Sequence, residues 1–147
     1  MRKNRGFTLI ELVMVIVILG ILAAVAMPKY VDMRDEALRA SAKATINSVR
    51  SAIAIQYAKN ALNGNATFPT LAQLTATGSS SIFVEGRMPL SPLDNSNAVA
   101  DKSGQGNPLD CADVDSGGTG YMYDEQTGEI RFNSNGDDGA GGHWCQY

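Results

Sequence analysis

An α+β fold is predicted, in which a long N-terminal α-helix packs on a small antiparallel β-sheet head. Three observations carry it. An apolar run from Phe7 to Met27 is interrupted by one ionisable residue, Glu11. Apolar side chains then continue at helical spacing as far as Tyr57. Beyond them lies a part rich in Gly, Asp and Asn that holds two short stretches of alternating side chains. The chain's 147 residues suit one modest domain, at roughly 100–200 residues per domain. Twelve basic against fifteen acidic side chains give a net charge of −3 and leave no basic footprint for nucleic acid. Two cysteines and one histidine are too few for a Cys₄ zinc site or a histidine metal centre, and no Ser/His/Asp arrangement can be built around His143. The composition therefore points away from an enzyme.

The N-terminus is directed to a membrane. Arg2, Lys3 and Arg5 precede the apolar run, and the 21 residues from Phe7 to Met27 reach about 31 Å as a helix, close to the ~30 Å hydrocarbon core of a bilayer. Basic flanks stay cytoplasmic, which places everything beyond Tyr30 on the far side. A cleavable secretory signal is the rival reading, and Ala24-Val25-Ala26 offers it a small-residue site. Such a signal has a shorter apolar stretch of ~7–15 residues. Glu11 also speaks against it, because a carboxylate at the membrane centre costs on the order of 2.5–3.5 kcal/mol unless it snorkels to the interface or finds a partner.

Beyond the span, Leu38, Ala42, Ile46, Val49, Ile53 and Tyr57 fall on one helical face. Charged residues such as Arg39, Lys43, Arg50 and Lys59 occupy the rest. Gly64 suits a C-terminal cap, so the helix is expected to run from Phe7 to Leu62, about 84 Å of rod. Pro28 removes a backbone donor and crowds the preceding turn, so it is expected to kink or locally open this helix, with Gly20 weakening it further. Gly20 alternatively permits close helix packing in lipid.

The stretch Gly6-Phe7-Thr8-Leu9-Ile10-Glu11-Leu12-Val13 resembles the processing site of type IV pilins and of the related type II secretion pseudopilins. The likeness extends over about residues 1–35: a short basic leader, a Gly-Phe junction, Glu five residues on, and Pro28. It implies a pilin-like division into a leader (1–6), a transmembrane and filament-core helix half (7–28), an amphipathic helix half (29–62) and a globular β head with a C-terminal disulfide loop (63–147). It further implies that a prepilin peptidase cuts after Gly6 and methylates Phe7. In that family the new amine of Phe7 is drawn to Glu11 of a neighbouring subunit during assembly, and the stretch corresponding to Gly20–Pro28 unwinds.

In the head, Thr70 is read as the N-cap of a short helix that packs Leu71 and Leu74, and Ile82-Phe83-Val84 as a β-type run. Residues 120–124 and 129–133 are read as a hairpin turned at Glu125–Gly128. With the head outside the cytoplasm, Cys111 and Cys145 are expected to pair, closing a loop worth roughly 3–4 kcal/mol in the chain-entropy model. A disulfide near the C-terminus resembles the corresponding loop of type IV pilins. Two oxygen-rich stretches are candidates for calcium: Asp110, Asp113 and Asp115, and separately Asn133, Asn135, Asp137 and Asp138. The second lacks the closing glutamate of an EF-hand, and polar turns explain both.

The expected molecule is a type IV pilin precursor that waits in the bacterial inner membrane with its N-terminus cytoplasmic and its head periplasmic. It polymerises with itself into a surface pilus for adhesion, motility or DNA uptake. Its expected partners are the prepilin peptidase and an inner-membrane assembly platform with its cytoplasmic ATPase. No resident cofactor is expected apart from the calcium candidates. One alternative is a major pseudopilin of a type II secretion system, whose periplasmic filament drives protein export. Another is a membrane-anchored binding module that never polymerises and keeps residues 1–6.

Overall fold

The computed structural model describes residues 6–105 and 108–147. Of the leader, only Gly6 falls among them; residues 1–5 lie outside the described residues. The elements run α1 (Leu9–Leu62), α2 (Leu71–Leu74), β1 (Val99–Asp101), β2 (Tyr121–Tyr123) and β3 (Ile130–Phe132), with single 3₁₀ turns at Gly78–Ser80 and Trp144–Gln146. Two compact units divide the chain, Met1–Glu36 and Ala37–Tyr147.

In the first unit the described residues of α1 make no core. Nearly every side chain from Phe7 to Met33 is exposed, including Ile10, Leu12, Ile18 and Leu22 at 54–65%. One helix is long and apolar enough to cross a membrane, and its apolar window has none of its residues buried. Gly20 and Pro28 both lie inside α1, which stays α-helical through them. The local opening expected at Pro28 is therefore absent. The one bond that proline removes is flanked on both sides by intact helical turns, which hold the segment in register.

The second unit is built on the predicted stripe. Ala42, Ile46, Val49 and Ile53 are buried at 0–3% exposure, with Leu38 packed beside them. They meet Tyr121, Tyr123, Ile130 and Phe132 from one face of the sheet, together with Leu74, Met88 and Trp144. The opposite face carries Met122, which packs with Leu109 and the disulfide sulfur of Cys145. Because α1 covers one face and the C-terminal loop the other, all three residues of β2 are buried. Burial of the Tyr121 and Tyr123 phenols is tolerated because each donates a hydrogen bond, to the Pro89 carbonyl at 3.2 Å and the Pro69 carbonyl at 2.8 Å. That burial also pushes both phenol pKa values well up from 10.

The helix ends as its glycine predicts. Gly64 takes φ +84°, the Gly64 amide donates to Ala61 and the Asn65 amide to Asn60, which together make a Schellman cap. Downstream, Thr70 caps α2 in a reciprocal box with Gln73, and the turn residue Glu125 accepts the Leu71 amide. The hairpin is also present: β2 and β3 pair antiparallel with Met122 opposite Arg131, and Gly128 turns at φ +72°.

Two elements differ from expectation. The sheet is mixed, because β1 joins β2 in parallel with Val99 opposite Tyr121. Parallel neighbours need a long crossover, and the segment from Lys102 to Gly120 supplies it. Ile82-Phe83-Val84 is a turn. The Phe83 carbonyl accepts the Gly86 amide at 2.9 Å, the Ser81 hydroxyl accepts the Phe83 amide, and Val84 stands fully in solvent. Ile82 and Phe83 anchor that turn on the core without joining the sheet.

Gly128 has no room for a side chain. A Cβ there would enter the φ > 0 region and lie 2.2 Å from a ring carbon of Phe68, which stacks on Tyr57 at 4.6 Å. Gly128→Ala should cost at least about 1–2 kcal/mol. Thermal unfolding of the full chain in detergent should show a midpoint lower by about 4 °C or more; an unchanged midpoint would mean that the Phe68 stack yields freely.

Candidate functional site

The junction predicted to be cut is the last stretch of non-helical backbone before α1. Gly6, Phe7 and Thr8 precede the helix, all three are exposed, and Phe7 is 83% exposed. A Cβ at Gly6 would meet nothing within 4 Å among the described residues, so no contact there demands glycine.

Thr8 starts the helix. Its hydroxyl accepts the Glu11 amide at 3.3 Å, and Glu11 returns the bond through Oε2, which accepts the Thr8 amide at 2.8 Å and the Thr8 hydroxyl at 2.7 Å. This is a capping box, with Thr8 at the N-cap and Glu11 at the third helical position. It satisfies two amides that a helix start otherwise leaves without partners. A carboxylate in the first turn also meets the positive end of the helix dipole. Charge and hydropathy single out Glu11 and pass over Thr8; the signal that finds Thr8 is the Thr-x-x-Glu spacing ahead of an apolar run. The same spacing gives Glu11 a partner within its own chain.

Gly20 is exposed in α1, and a Cβ there would touch nothing within 4 Å. Its glycine is thus not required by packing within the chain. Glycine at an exposed helix position costs about 1 kcal/mol relative to alanine, and nothing within the described residues offsets that.

In the head, Cys111 and Cys145 are bonded, with Cα atoms 5.2 Å apart. Two further ties fasten the loop they close. Lys102, 7% exposed, pairs with Asp115 at 2.6 Å, and the Asn133 side chain both donates to Asp115 and accepts its amide. Arg131 pairs with Glu129 and donates to the Cys145 carbonyl, while Glu129 accepts the Leu109 amide. Lys102 and Asn133 together hold the Asp115 carboxyl below its usual range.

The calcium candidates also take part in hydrogen bonds of the head. Asn133 faces Asp115, the Asn135 carbonyl meets the His143 ring at 3.1 Å, Asp137 accepts the Gly139 amide, and Asp110 and Asp113 bond neighbouring amides. Asp138 accepts the Tyr147 hydroxyl at 2.5 Å and the amides of Ala140 and Gly142. Among the described residues no three His, Cys, Asp or Glu side chains converge.

Those three bonds, the Tyr147 hydroxyl first, push the Asp138 carboxyl down to about 2 from 3.8, with Arg39 adding a smaller favourable charge. A depressed folded pKa adds stability above the unfolded value and loses it as pH falls from about 4 to about 2. Acid titration of the head by tryptophan fluorescence should therefore show a destabilisation in that window that is reduced in Asp138→Asn. An identical acid limb in the two proteins would remove Asp138 from the account.

The prokaryotic N-terminal methylation motif matches residues 1–27. The type IV narrow pilus major component PilA5 of Thermus thermophilus is 59% identical over 53 residues, 36% of this chain and 46% of that protein. A fimbrial protein of Pseudomonas aeruginosa is 30% identical over 103 residues, covering 69% of this chain and 67% of its own length. The type II secretion system core protein G of Escherichia coli is 30% identical over 101 residues, covering 63% and 69%. The chain spans less than half the length of the first of these relatives. No solved structure matches the chain significantly.

Proposed function

The chain belongs to the family of type IV pilins and type II secretion pseudopilins, structural subunits and not enzymes, and on that premise we propose that it is the precursor of a type IV pilus subunit. The observation that carries this reading is the exposed apolar surface of α1 between Phe7 and Met33, which no other described residue covers. Lipid covers it in a monomer. In a filament, the same surface of neighbouring copies covers it, so assembly exchanges lipid contacts for helix packing.

Cleavage after Gly6 by a prepilin peptidase removes the leader and leaves an amine on Phe7, which the same enzyme methylates. The capping box leaves the Gly6–Phe7 bond outside the helix, as exposed non-helical backbone that a protease can bind. The amine lies at one end of the apolar run from Phe7 to Met27, whose sole ionisable side chain is Glu11. In the membrane the Glu11 carboxylate is held by Thr8. On docking it takes the Phe7 amine of a neighbouring copy, which sets the register between subunits. Loss of one member of such a pair costs about 3–5 kcal/mol when the other stays buried. Gly20, with no packing duty in its own chain, serves close helix approach or unwinding beside Pro28 once neighbours are present. The precursor resides in the inner membrane with its head periplasmic, and an assembly platform driven by a cytoplasmic ATPase extracts it into a homopolymer at the cell surface.

A second reading, a major pseudopilin whose shorter filament serves protein export, is favoured by the likeness to core protein G over two thirds of that protein's length. The disulfide-closed C-terminal loop favours the first. Immunogold labelling of filaments separates them, since a pilus stands on the cell surface and a pseudopilus stays in the periplasm.

Intact mass with N-terminal fragmentation on protein from its native membrane should give a chain beginning at methylated Phe7 and two hydrogens lighter for the disulfide. A chain still beginning at Met1 overturns the polymer reading. Glu11→Ala should insert at least as well as the parent, because a charge has left the membrane, yet yield few or disordered filaments by electron microscopy. Normal filaments from this variant would exclude the pairing.

A further inference from the structure

We infer that the Cys111–Cys145 bond is made and broken through the sulfur of Cys111, entered from a cavity on the surface of the head. The cavity is about 440 Å³ and lies between segments 114–118 and 134–136. Cys111 lines it and Cys145 does not. Cys111 is partly exposed, whereas Cys145 has no exposed surface and is packed with Leu109 and Met122.

Thiol–disulfide exchange requires a thiolate to approach along the S–S axis, from the side opposite the leaving sulfur. Cys111 lines the cavity and is partly exposed, so an incoming thiolate has access to it from solvent. Cys145 has no exposed surface and is clustered with Leu109 and Met122, so it lacks that access. The walls of the cavity leave room for a thiol carrier, because Gly117, Gly118 and Gly136 present no side chains. The charge of Asp115 at its edge, which would repel a thiolate, is partly neutralised by Lys102 at 2.6 Å.

The step balances without any further reactant. An external thiolate forms a bond to Cys111 Sγ, the bond to Cys145 Sγ breaks, and Cys145 leaves as a thiolate that takes a proton from water. Run in reverse, the Cys145 thiolate attacks Cys111 Sγ in a mixed disulfide and expels the external thiolate. During oxidation of the newly made head, the Cys111 thiolate attacks an external disulfide, expels one of its two sulfurs as a thiolate and so carries the mixed disulfide. Burial of Cys145 then closes the bond as residues 144–146 dock on the sheet.

The inference does not depend on the filament reading, and its test uses the isolated full chain in detergent. Cys145→Ser leaves the Cys111 thiol on the cavity, and Cys111→Ser leaves the Cys145 thiol in the core. With glutathione disulfide under native conditions, the first should form its mixed disulfide at least about tenfold faster than the second, in line with access to the thiol. Denaturant should make the two rates equal. Equal native rates, or a faster Cys145, overturn the inference. Should either variant lose its near-ultraviolet circular dichroism, the parent chain decides. It is incubated with reduced glutathione, quenched in acid and mapped by mass spectrometry. A glutathione adduct on Cys111 supports the assignment; an adduct on Cys145, equal adducts on both, or none overturns it.

Discussion

The head rests on one stripe of α1. Ala42, Ile46, Val49 and Ile53 supply a strip of small and medium side chains against which two tyrosines and a phenylalanine of a three-stranded sheet lie flat. Each strand has only three residues, too little to stand alone, since short sheets need a packed face for stability. Removing the stripe would leave a sheet with nothing to pack on. Pieces that look separate are fastened to the same surface: α2 through Leu74, the 82–87 turn through Ile82 and Phe83, and the C-terminus through Trp144 and Tyr147.

The other face of the sheet is covered by covalent and polar means. Leu109, Met122 and Cys145 form a small second cluster, and the surrounding loop is rich in glycine and aspartate, which bury little. The disulfide, the Lys102–Asp115 pair and the Glu129–Arg131 pair substitute for apolar area there. A loop of this composition loses much entropy on ordering, and a cross-link lowers that cost by restricting the unfolded chain. The division of labour is clear in the residues: apolar packing toward the helix, cross-links and hydrogen bonds toward solvent.

Features with a local, repeated signature were legible in the sequence. The spacing of the stripe, Gly64 past the end of α1, Thr70 before α2 and the alternation around Gly128 each state their own geometry over a few residues. The cysteines could be paired because only two exist. What was not legible depends on partners distant in the chain. Val99–Asp101 becomes a strand only because Tyr121–Tyr123 lies beside it, and nothing in an Asn- and Asp-rich neighbourhood announces that. Ile82-Phe83-Val84 has strand composition, yet Gly86 turns it away. At the N-terminus, Glu11 stands out by its charge, whereas its partner Thr8 is found only through the Thr-x-x-Glu spacing. The mutual engagement of Asp138 and Tyr147 likewise follows from a fold of the tail that no periodicity encodes.

Trp144 and Cys145 stand in the two clusters that complete the head, and this has a consequence for the order of events as the chain is made. Ribosomes deliver α1 first, so its apolar half can enter a membrane while the head is still unwritten. The stripe on α1 then waits through about ninety residues of synthesis for the last aromatic that covers it, and the parallel strand pairing adds further delay because it closes over a long connection. A polypeptide interrupted before residue 144 has an open core, an unpaired Cys111 and exposed tyrosines, which are the marks by which quality-control proteases select.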